Sequence, residues 1–197
     1  MHAYSIDSDE RRNVTIILAL LGIGAAYVLN RALDASDVAI PWWLDAPAAF
    51  GFSAFFYALF EQWGWRLDLW STIRLVAAPD LSGQWSGHVA SSLDSHGASH
   101  RVLVEVKQTW TRISVVLITE TSRSCSIVAG LCTKGPAGPE LTYTYRNEPL
   151  PQAVGTMNIH YGTATMRLSE QGLRLGGDYY SGRGRETYGS ITVRRSG

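Results

Sequence analysis

The pattern of apolar positions in this 197-residue chain changes near Pro79. Before this point apolar residues form long continuous runs, and after it they alternate with polar residues in short segments. Continuous runs are typical of buried or membrane-spanning helices, whereas a period of two is typical of strands with one buried face. We therefore predict a helical region over residues 1–78 and an all-β domain over residues 79–197.

The first apolar run extends from Val14 to Leu29 without a charged residue, and Arg12 and Arg31 flank it. At about 1.5 Å per residue the stretch between the two arginines is about 30 Å long, which matches the hydrocarbon core of a bilayer. A cleaved signal peptide is the alternative, but the run is long for one and no A-x-A motif follows it at once. We predict a retained transmembrane helix.

A second apolar run, from Ala46 to Phe60, is shorter than a typical span. Tryptophan pairs lie on both sides of it, Trp42 with Trp43 and Trp63 with Trp65. Indole rings favour the headgroup zone, so the pairs suggest an aromatic belt at each end. The two runs predict a transmembrane hairpin with a short external loop. Basic residues before the first span and after the second place both termini and the β domain in the cytoplasm.

The first span also carries a face of small residues, with Gly22 and Ala26 four positions apart. Such a face lets two helices approach closely. It could pack on the second span or on another copy of the chain, and both alternatives stay open from the sequence.

Alternation in the second half predicts eight strands separated by turns rich in glycine, proline and serine. Their approximate bounds are 82–91, 100–109, 112–119, 124–131, 141–146, 159–168, 173–179 and 185–193. Short, evenly spaced strands favour a small antiparallel up-and-down β-barrel, with a sandwich as the alternative. An eight-stranded barrel can hold one small ligand in its interior.

One end of the predicted barrel is rich in arginine and tyrosine. In an up-and-down barrel every second connection lies at the same end, and this end is predicted to face away from the bilayer because the chain enters at the other. Its residues are His100, Arg101, Thr119 to Arg123, Tyr145, Arg146, Asn147, His160, Tyr161 and Tyr179 to Arg185. Arginine binds phosphates and tyrosine stacks on bases, so the cluster suggests a nucleotide site.

Catalysis and metal binding find little support in the sequence. It lacks nucleophile-elbow, P-loop and H-E-x-x-H motifs, and no histidine has metal-like spacing with cysteine or aspartate. The net charge is 0, and the mild excess of arginine in the β domain does not suggest a duplex DNA binder. Cys125 and Cys132 predict reduced thiols rather than a disulfide framework. We therefore expect neither an enzyme, nor a metal protein, nor a partner of nucleic acid polymers.

The chain resembles the two-transmembrane, β-strand-rich effectors of CBASS, the bacterial anti-phage signalling that uses cyclic oligonucleotides. The resemblance rests on the two spans, then on Leu81-Ser-Gly-Gln-Trp-Ser-Gly87, Tyr145-Arg-Asn147 and Gly177-Asp-Tyr-Tyr-Ser-Gly-Arg-Gly-Arg-Glu-Thr-Tyr-Gly189. Members of that family are not enzymes. Their compact barrel senses a cyclic dinucleotide made by a partner nucleotidyltransferase, the protein assembles, and its spans disrupt the inner membrane. The resemblance implies this ligand, a homo-oligomer and a multi-pass protein of the bacterial inner membrane, with no cofactor.

The matching positions define a predicted ligand site. We expect Arg183 and Arg185 to neutralise the two phosphates. Tyr145 and Tyr180 would stack on the bases, while Asn147 and Thr187 contact base or ribose edges. Strand alternation puts Tyr179 and Tyr180 on opposite faces, so Tyr179 is the substitute if Tyr180 points outward. The full predicted set is Tyr145, Arg146, Asn147, Tyr179, Tyr180, Arg183, Arg185 and Thr187.

Two other functions stay open. A membrane-anchored, lipocalin-like carrier or adaptor would bind an apolar ligand or a protein partner. Its barrel would be lined by leucine, valine and aromatic groups, without inward-facing arginines. A protein-interaction module would have a barrel that side chains fill completely.

Overall fold

The computed structural model describes residues 1–36, 41, 45–94, 98–136, 138–169, 172–182 and 185–196. It divides into a barrel unit, residues 1–7 with 78–197, and a helical unit, residues 8–77. Three residues named above, Trp42, Trp43 and Arg183, lie outside the described residues.

Within the described residues, nine strands form a closed barrel. They are β1 (His2–Ile6), β2 (Gly83–Ser91), β3 (Ser99–Gln108), β4 (Arg112–Ile118), β5 (Ser122–Cys132), β6 (Glu140–Pro149), β7 (His160–Ser169), β8 (Arg174–Ser181) and β9 (Tyr188–Arg195). From β2 to β9 each strand pairs antiparallel with the next, and the pairing of β2 with β9 closes the ring. The predicted up-and-down barrel is confirmed for these eight strands.

The prediction of eight strands is wrong, because a ninth strand, β1, precedes the first helix. β1 lies between β4 and β5, and it is antiparallel to β4 and parallel to β5. β4 and β5 pair directly near their connection, from Val116 to Ile118, and β1 fills the space that opens farther along. Its 5 residues are too few to produce a periodic signal ahead of a long apolar run.

Side chains as well as backbone pairing fasten β1 to the barrel. The hydroxyl of Tyr4 donates a hydrogen bond of 2.8 Å to the carbonyl oxygen of Trp110, and Tyr4 is buried. The Asp7 carboxylate accepts the backbone N–H and hydroxyl of Thr133 at 2.9 and 2.7 Å, and the N–H of Lys134 at 3.0 Å. Partial burial works to raise the pKa of Asp7, but these donors, with the Cys132 thiol, outweigh it and lower that pKa.

The core occupies the end of the barrel where β2 begins. The indole of Trp85 is completely buried, and its Nε1–H donates to the carbonyl oxygen of Leu81 at 3.0 Å. The guanidinium of Arg195 lies over the Trp85 ring, 4.7 Å from its centroid. Other fully buried side chains come from several strands and are Val104, Val115, Leu141, Met166, Leu175 and Val193. Side chains therefore fill this end, which leaves the opposite end for a ligand.

The helical unit contains α1 (Glu10–Asp34), α2 (Asp45–Gln62) and α3 (Asp68–Thr72). α1 packs on α2 where Gly22 meets Ser53, and a Cβ at Gly22 would lie 2.8 Å from the Cα of Ser53. The Ser53 hydroxyl is 3.3 Å from the carbonyl oxygen of Ala19 on α1 and 2.8 Å from that of Ala49 on its own helix. Of the two alternatives for the small-residue face, Gly22 thus contacts α2 of the same chain.

Among the described helices, α1 is the one long and apolar enough to cross a bilayer. α2 has 18 residues, but Asp45, Glu61 and Gln62 at its ends shorten its apolar part below the length of a typical span. The prediction of two spans is therefore corrected to one candidate span and one shorter helix packed against it.

Candidate functional site

A cavity of about 540 Å³ opens at the end of the barrel opposite the buried tryptophan. Strand ends and the connections β2–β3, β4–β5, β6–β7 and β8–β9 provide its lining. This is the arginine- and tyrosine-rich end singled out from the sequence. Its volume falls within the range of sites for small molecules and cofactors.

Three tyrosines form the deeper part of this cavity. Tyr143 and Tyr145 alternate along β6, and Tyr179 comes from β8. The ring centroids of Tyr143 and Tyr145 lie 6.3 Å apart with the planes tilted by 55°. Burial raises the pKa of both phenols, and a smaller rise comes from Tyr145 for Tyr143 and from Tyr179 for Tyr145. At neutral pH they are uncharged aromatic surfaces that carry a polar hydroxyl.

Two glycines make room for these rings. A Cβ at Gly162, on β7, would overlap the hydroxyl and ring of Tyr145 and the backbone oxygen of Tyr180. A Cβ at Gly189, on β9, would overlap the backbone oxygen of Ala90 on β2 and would lie 2.7 Å from the Cε1 atom of Tyr179. The absence of a side chain at each position therefore lets the neighbouring tyrosine ring lie in the barrel interior.

A polar level lies above the tyrosines, toward the mouth. Ser124, Asn147 and His160 are register partners on β5, β6 and β7, and all three are buried. The Oδ1 atom of Asn147 accepts the Ser124 hydroxyl at 2.7 Å, and its Nδ2 donates to the sulfur of Met157 at 3.3 Å. This packing fixes the orientation of the amide.

A second set of polar groups comes from the β8–β9 side. The buried Thr187 hydroxyl donates to the Ser181 hydroxyl at 3.0 Å. Ser181 in turn hydrogen-bonds the phenol of Tyr145, which works against the rise in the pKa of that phenol. The hydroxyls of Tyr145 on β6, Ser181 on β8 and Thr187 in the β8–β9 connection are thus connected at the level where a ligand would enter.

His160 has a defined hydrogen bond and a defined charge. Its Nδ1 lies 2.9 Å from the carbonyl oxygen of Asn158. Burial lowers the pKa of His160, the bond to Asn158 partly offsets this, and the positive charge of Arg185 lowers it further. The imidazole is therefore neutral at physiological pH.

Positive charge at the mouth comes from two arginines, Arg101 and Arg185, and the described lining includes one carboxylate, Glu120. Arg185 is half-buried and close enough to Tyr145 and His160 to influence the pKa of each. Within the described part of the chain no carboxylate forms an ion pair with Arg185. Its guanidinium is therefore available to an anionic ligand.

Comparison with known families assigns the domain that holds this cavity. The family described as "Cap15, cyclic dinucleotide receptor domain" matches residues 76–195, which include β2 to β9 and every residue of the cavity lining. The chain belongs to the Cap15 family. The resemblance to CBASS effectors inferred from the sequence is thereby confirmed.

A curated relative of this Cap15 chain is the CD-NTase-associated protein 15 of Yersinia aleksiciae. The two are 31% identical over 144 residues, which is 71% of this chain and 65% of the relative. The chain therefore matches somewhat less than two thirds of the length of that relative.

The Cap15 barrel brings together five of the eight predicted site residues. They are Tyr145, Asn147, Tyr179, Arg185 and Thr187. Tyr180 is 60% exposed on the outer face, because β7 and β8 pair in regular register and Tyr179 takes the inward position. Arg146 also lies outside the cavity, where its Nη2 is 3.0 Å from the Glu148 carboxylate. Arg183 lies outside the described residues.

Sequence reasoning missed several lining residues of the Cap15 cavity. Tyr143 could have been found, because it precedes Tyr145 by two positions on the same strand and shares its face. Ser124 could not, because its contact with Asn147 depends on the register between β5 and β6. His160 was assigned to the correct end of the barrel without a role in binding.

Proposed function

We propose that this protein is a CBASS effector whose barrel binds a cyclic dinucleotide made by a partner nucleotidyltransferase during phage infection. The observation that carries the proposal is the cavity at the open end of a Cap15-family barrel. It combines an arginine that forms no ion pair with a described carboxylate, aromatic rings, and amide and hydroxyl groups. These are the groups that hold phosphates, stack on bases and contact polar base or ribose edges.

Each part of such a ligand has a corresponding group in the cavity. In this proposal Arg185 contacts one phosphate, and Arg101 at the rim is the described candidate for the other. Tyr145 and Tyr179 provide stacking surfaces, while Asn147 and Thr187 contact base or ribose edges. Arg183 stays a predicted phosphate contact. Arg146 and Tyr180 are omitted because they point away from the cavity.

The composition of the lining favours this ligand over the alternatives. A carrier of apolar molecules would not be expected to direct an arginine, a histidine and an asparagine into its cavity. A pure protein-interaction module would fill both ends of its barrel, whereas the Cap15 barrel is open at one. We therefore propose binding, with no catalytic step, as the role of the domain.

Binding is expected to require Arg185. We expect calorimetric titration of the full chain in lipid nanodiscs with 3′,3′-linked cyclic dinucleotides to detect binding, and Arg185→Ala to weaken it by roughly 10- to 100-fold. That range corresponds to the loss of a hydrogen bond to a charged group. Arg123→Ala is the matched control, because Arg123 is an exposed arginine outside the cavity lining at the same end of the barrel. Failure of every base combination to bind would contradict the proposed function.

The helical unit is proposed to act in the inner membrane. α1 enters the bilayer, and ligand binding to the cytoplasmic barrel drives assembly into a homo-oligomer that disrupts the membrane. A ligand can promote assembly only if it binds the assembled state more tightly than the free state. Ligand-dependent crosslinking in membranes tests this step, and an unchanged distribution of oligomers would count against it.

Connectivity supports a return of the chain across the bilayer. β1 precedes α1 and β2 follows α3, yet both strands belong to one barrel. A chain that leaves the side of the barrel through α1 must therefore cross back before β2.

Cysteine labelling can test this topology. In a chain with Cys125→Ser and Cys132→Ser, we expect Ser36→Cys to react with an impermeant maleimide added to intact spheroplasts. Val128→Cys, at an exposed position of the barrel, should react only after the membrane is permeabilised. Labelling of both positions from the same side would contradict a crossing by α1.

A further inference from the structure

One ring nitrogen of His160 is a hydrogen-bond acceptor without a protein partner among the described residues. Nδ1 is 2.9 Å from the carbonyl oxygen of Asn158, and a carbonyl can only accept. Nδ1 must therefore carry a hydrogen. In the neutral imidazole the other nitrogen, Nε2, then has a lone pair and no hydrogen. Because His160 lines the cavity and Nδ1 is turned to Asn158, Nε2 is the nitrogen left for a ligand.

The groups around His160 keep its imidazole neutral, and their own charges do not change near neutral pH. Arg185 is the charged group that influences His160, and it lowers the pKa of the imidazole together with burial. The phenols of Tyr143 and Tyr145, from neighbouring β6, keep their protons because burial raises their pKa values. The other groups at this level, Asn147 and Ser124, do not titrate. A pH change near neutrality therefore alters His160 rather than these neighbours. The other histidine of the described lining is His100, and the pH profile of a His160 variant separates its contribution from that of His160.

The cavity separates two kinds of ligand contact. Arg185 can only donate hydrogen bonds, so it suits a phosphate oxygen. Nε2 of neutral His160 can only accept, so a phosphate oxygen placed against it would bring two acceptors together. The ligand group at Nε2 must instead be a donor. The Oδ1 atom of Asn147 already accepts a hydrogen bond from the Ser124 hydroxyl. The lone pair used in that bond does not compete with Nε2 for the ligand donor.

We propose that His160 is a specificity-determining residue that accepts a hydrogen bond from an N–H of a base or a ribose hydroxyl of the bound cyclic dinucleotide. This inference rests on the proposed function, and it specifies which partner donates in one hydrogen bond between the protein and the ligand. A site that accepts a hydrogen bond discriminates strongly against an analogue that lacks the donor, because the buried acceptor is then left unpaired. His160 would thus select among ligands that Arg185 treats alike.

The direction of this hydrogen bond determines the sign of the pH dependence. Acidification protonates His160 and turns Nε2 into a donor, which then opposes the donor of the ligand. Affinity is therefore expected to fall as the pH is lowered. A phosphate at Nε2 would give the opposite sign, because protonation would add a charge-assisted hydrogen bond.

The test uses the full chain in lipid nanodiscs and cyclic di-AMP, cyclic di-GMP, cyclic di-UMP and their mixed 3′,3′-linked counterparts as probes. The affinity of the tightest probe is measured calorimetrically between about pH 5 and pH 8, where histidine titrates. We expect the wild type to lose about tenfold in affinity on acidification, as for an unpaired buried group. His88→Gln, at an exposed position on the outer face of β2, should leave this profile unchanged.

Two substitutions separate the effect of the hydrogen-bond acceptor on binding from the effect of filling the space that the side chain occupies. His160→Gln retains an acceptor, so it should bind within a few-fold of the wild type with a flat pH profile. His160→Phe removes the acceptor, so it should bind roughly 10- to 100-fold more weakly at neutral pH, also with a flat profile. Hydrogen-exchange measurements without ligand confirm that each variant is folded.

Ligand analogues identify the donor. Loss of affinity with the 2′-O-methyl probe assigns it to the ribose hydroxyl, and loss with a base-methylated probe assigns it to a base N–H. Affinity that rises on acidification, or wild-type binding by His160→Phe, would overturn the inference while leaving the proposed function in place. If no cyclic dinucleotide binds the wild type, the proposed function itself fails.

Discussion

Gly162→Ala is expected to abolish measurable ligand binding and to destabilise the barrel. The added Cβ would overlap the hydroxyl and ring of Tyr145 on one side and the backbone oxygen of Tyr180 on the other. The backbone oxygen belongs to the paired strand β8 and cannot move without breaking the ladder. The Tyr145 ring must therefore shift into the cavity, and overpacking of this kind costs about 1–3 kcal/mol.

Two measurements check this expectation separately. Calorimetric titration with the cyclic dinucleotide that binds the wild type most tightly reports on the cavity. Urea-dependent hydrogen exchange of peptides from β2 to β9 reports on the free energy of unfolding of the barrel without a contribution from the helical unit. Both are made on the full chain in nanodiscs.

Gly155→Ala is the matched control for the same chemical change. It lies in the β6–β7 connection at the same end of the barrel, and a Cβ there has no neighbouring atom within 4 Å. It should retain both stability and binding. Wild-type affinity in Gly162→Ala would mean that the position of the Tyr145 ring does not matter to the ligand.

The barrel was predictable from the sequence because alternation is a local property. Val102, Val104 and Val106 share one face of β3, and all three are buried. Eight such segments, joined by short turns, leave few arrangements other than a meander. β1 was not predictable in this way, because its place between β4 and β5 depends on pairing with residues more than a hundred positions away.

The alternation of side chains along a strand (strand parity) determines which of them face the cavity. To that extent the candidate site was predictable from the sequence. Parity assigned Tyr179 and Tyr180 to opposite faces, and the regular register of β8 then turned Tyr179 inward. Parity could not reveal that the Asn147 amide is held by Ser124 and Met157, or that Nδ1 of His160 bonds Asn158. Those contacts depend on strand register and on the path of the β6–β7 connection.

The helical region shows the limit of reading hydropathy alone. Composition identified α1 as a candidate span and suggested a second from the apolar run and its tryptophans. The polar ends of α2 leave it short of a span by length and composition. Composition does not reveal that β1 pairs within the barrel. Because β1 precedes the helices and β2 follows them, this pairing means that the number of membrane crossings depends on connectivity as well as on hydropathy.

Tyr4→Ala is expected to destabilise the barrel by about 3–5 kcal/mol, the range for truncating a buried aromatic side chain. Tyr4 is 3% exposed, and its hydroxyl donates to the carbonyl oxygen of Trp110 and accepts from the amide of Gln108. The loss would loosen β1, which fills the space between β4 and β5. The measurement is the urea-dependent hydrogen exchange described for Gly162→Ala.

Two further variants divide this effect into its parts. Tyr4→Phe removes the hydroxyl alone and should cost about 1–3 kcal/mol, because two hydrogen bonds between buried groups are lost. Ser5→Ala, at an exposed neighbouring position of the same strand, should change the free energy of unfolding by less than about 0.5 kcal/mol. If Tyr4→Ala were as stable as Ser5→Ala, β1 would contribute little to the barrel, and the eight strands predicted from the sequence would suffice for its stability. A large loss would instead make the residues ahead of the first helix a structural part of the ligand-binding domain.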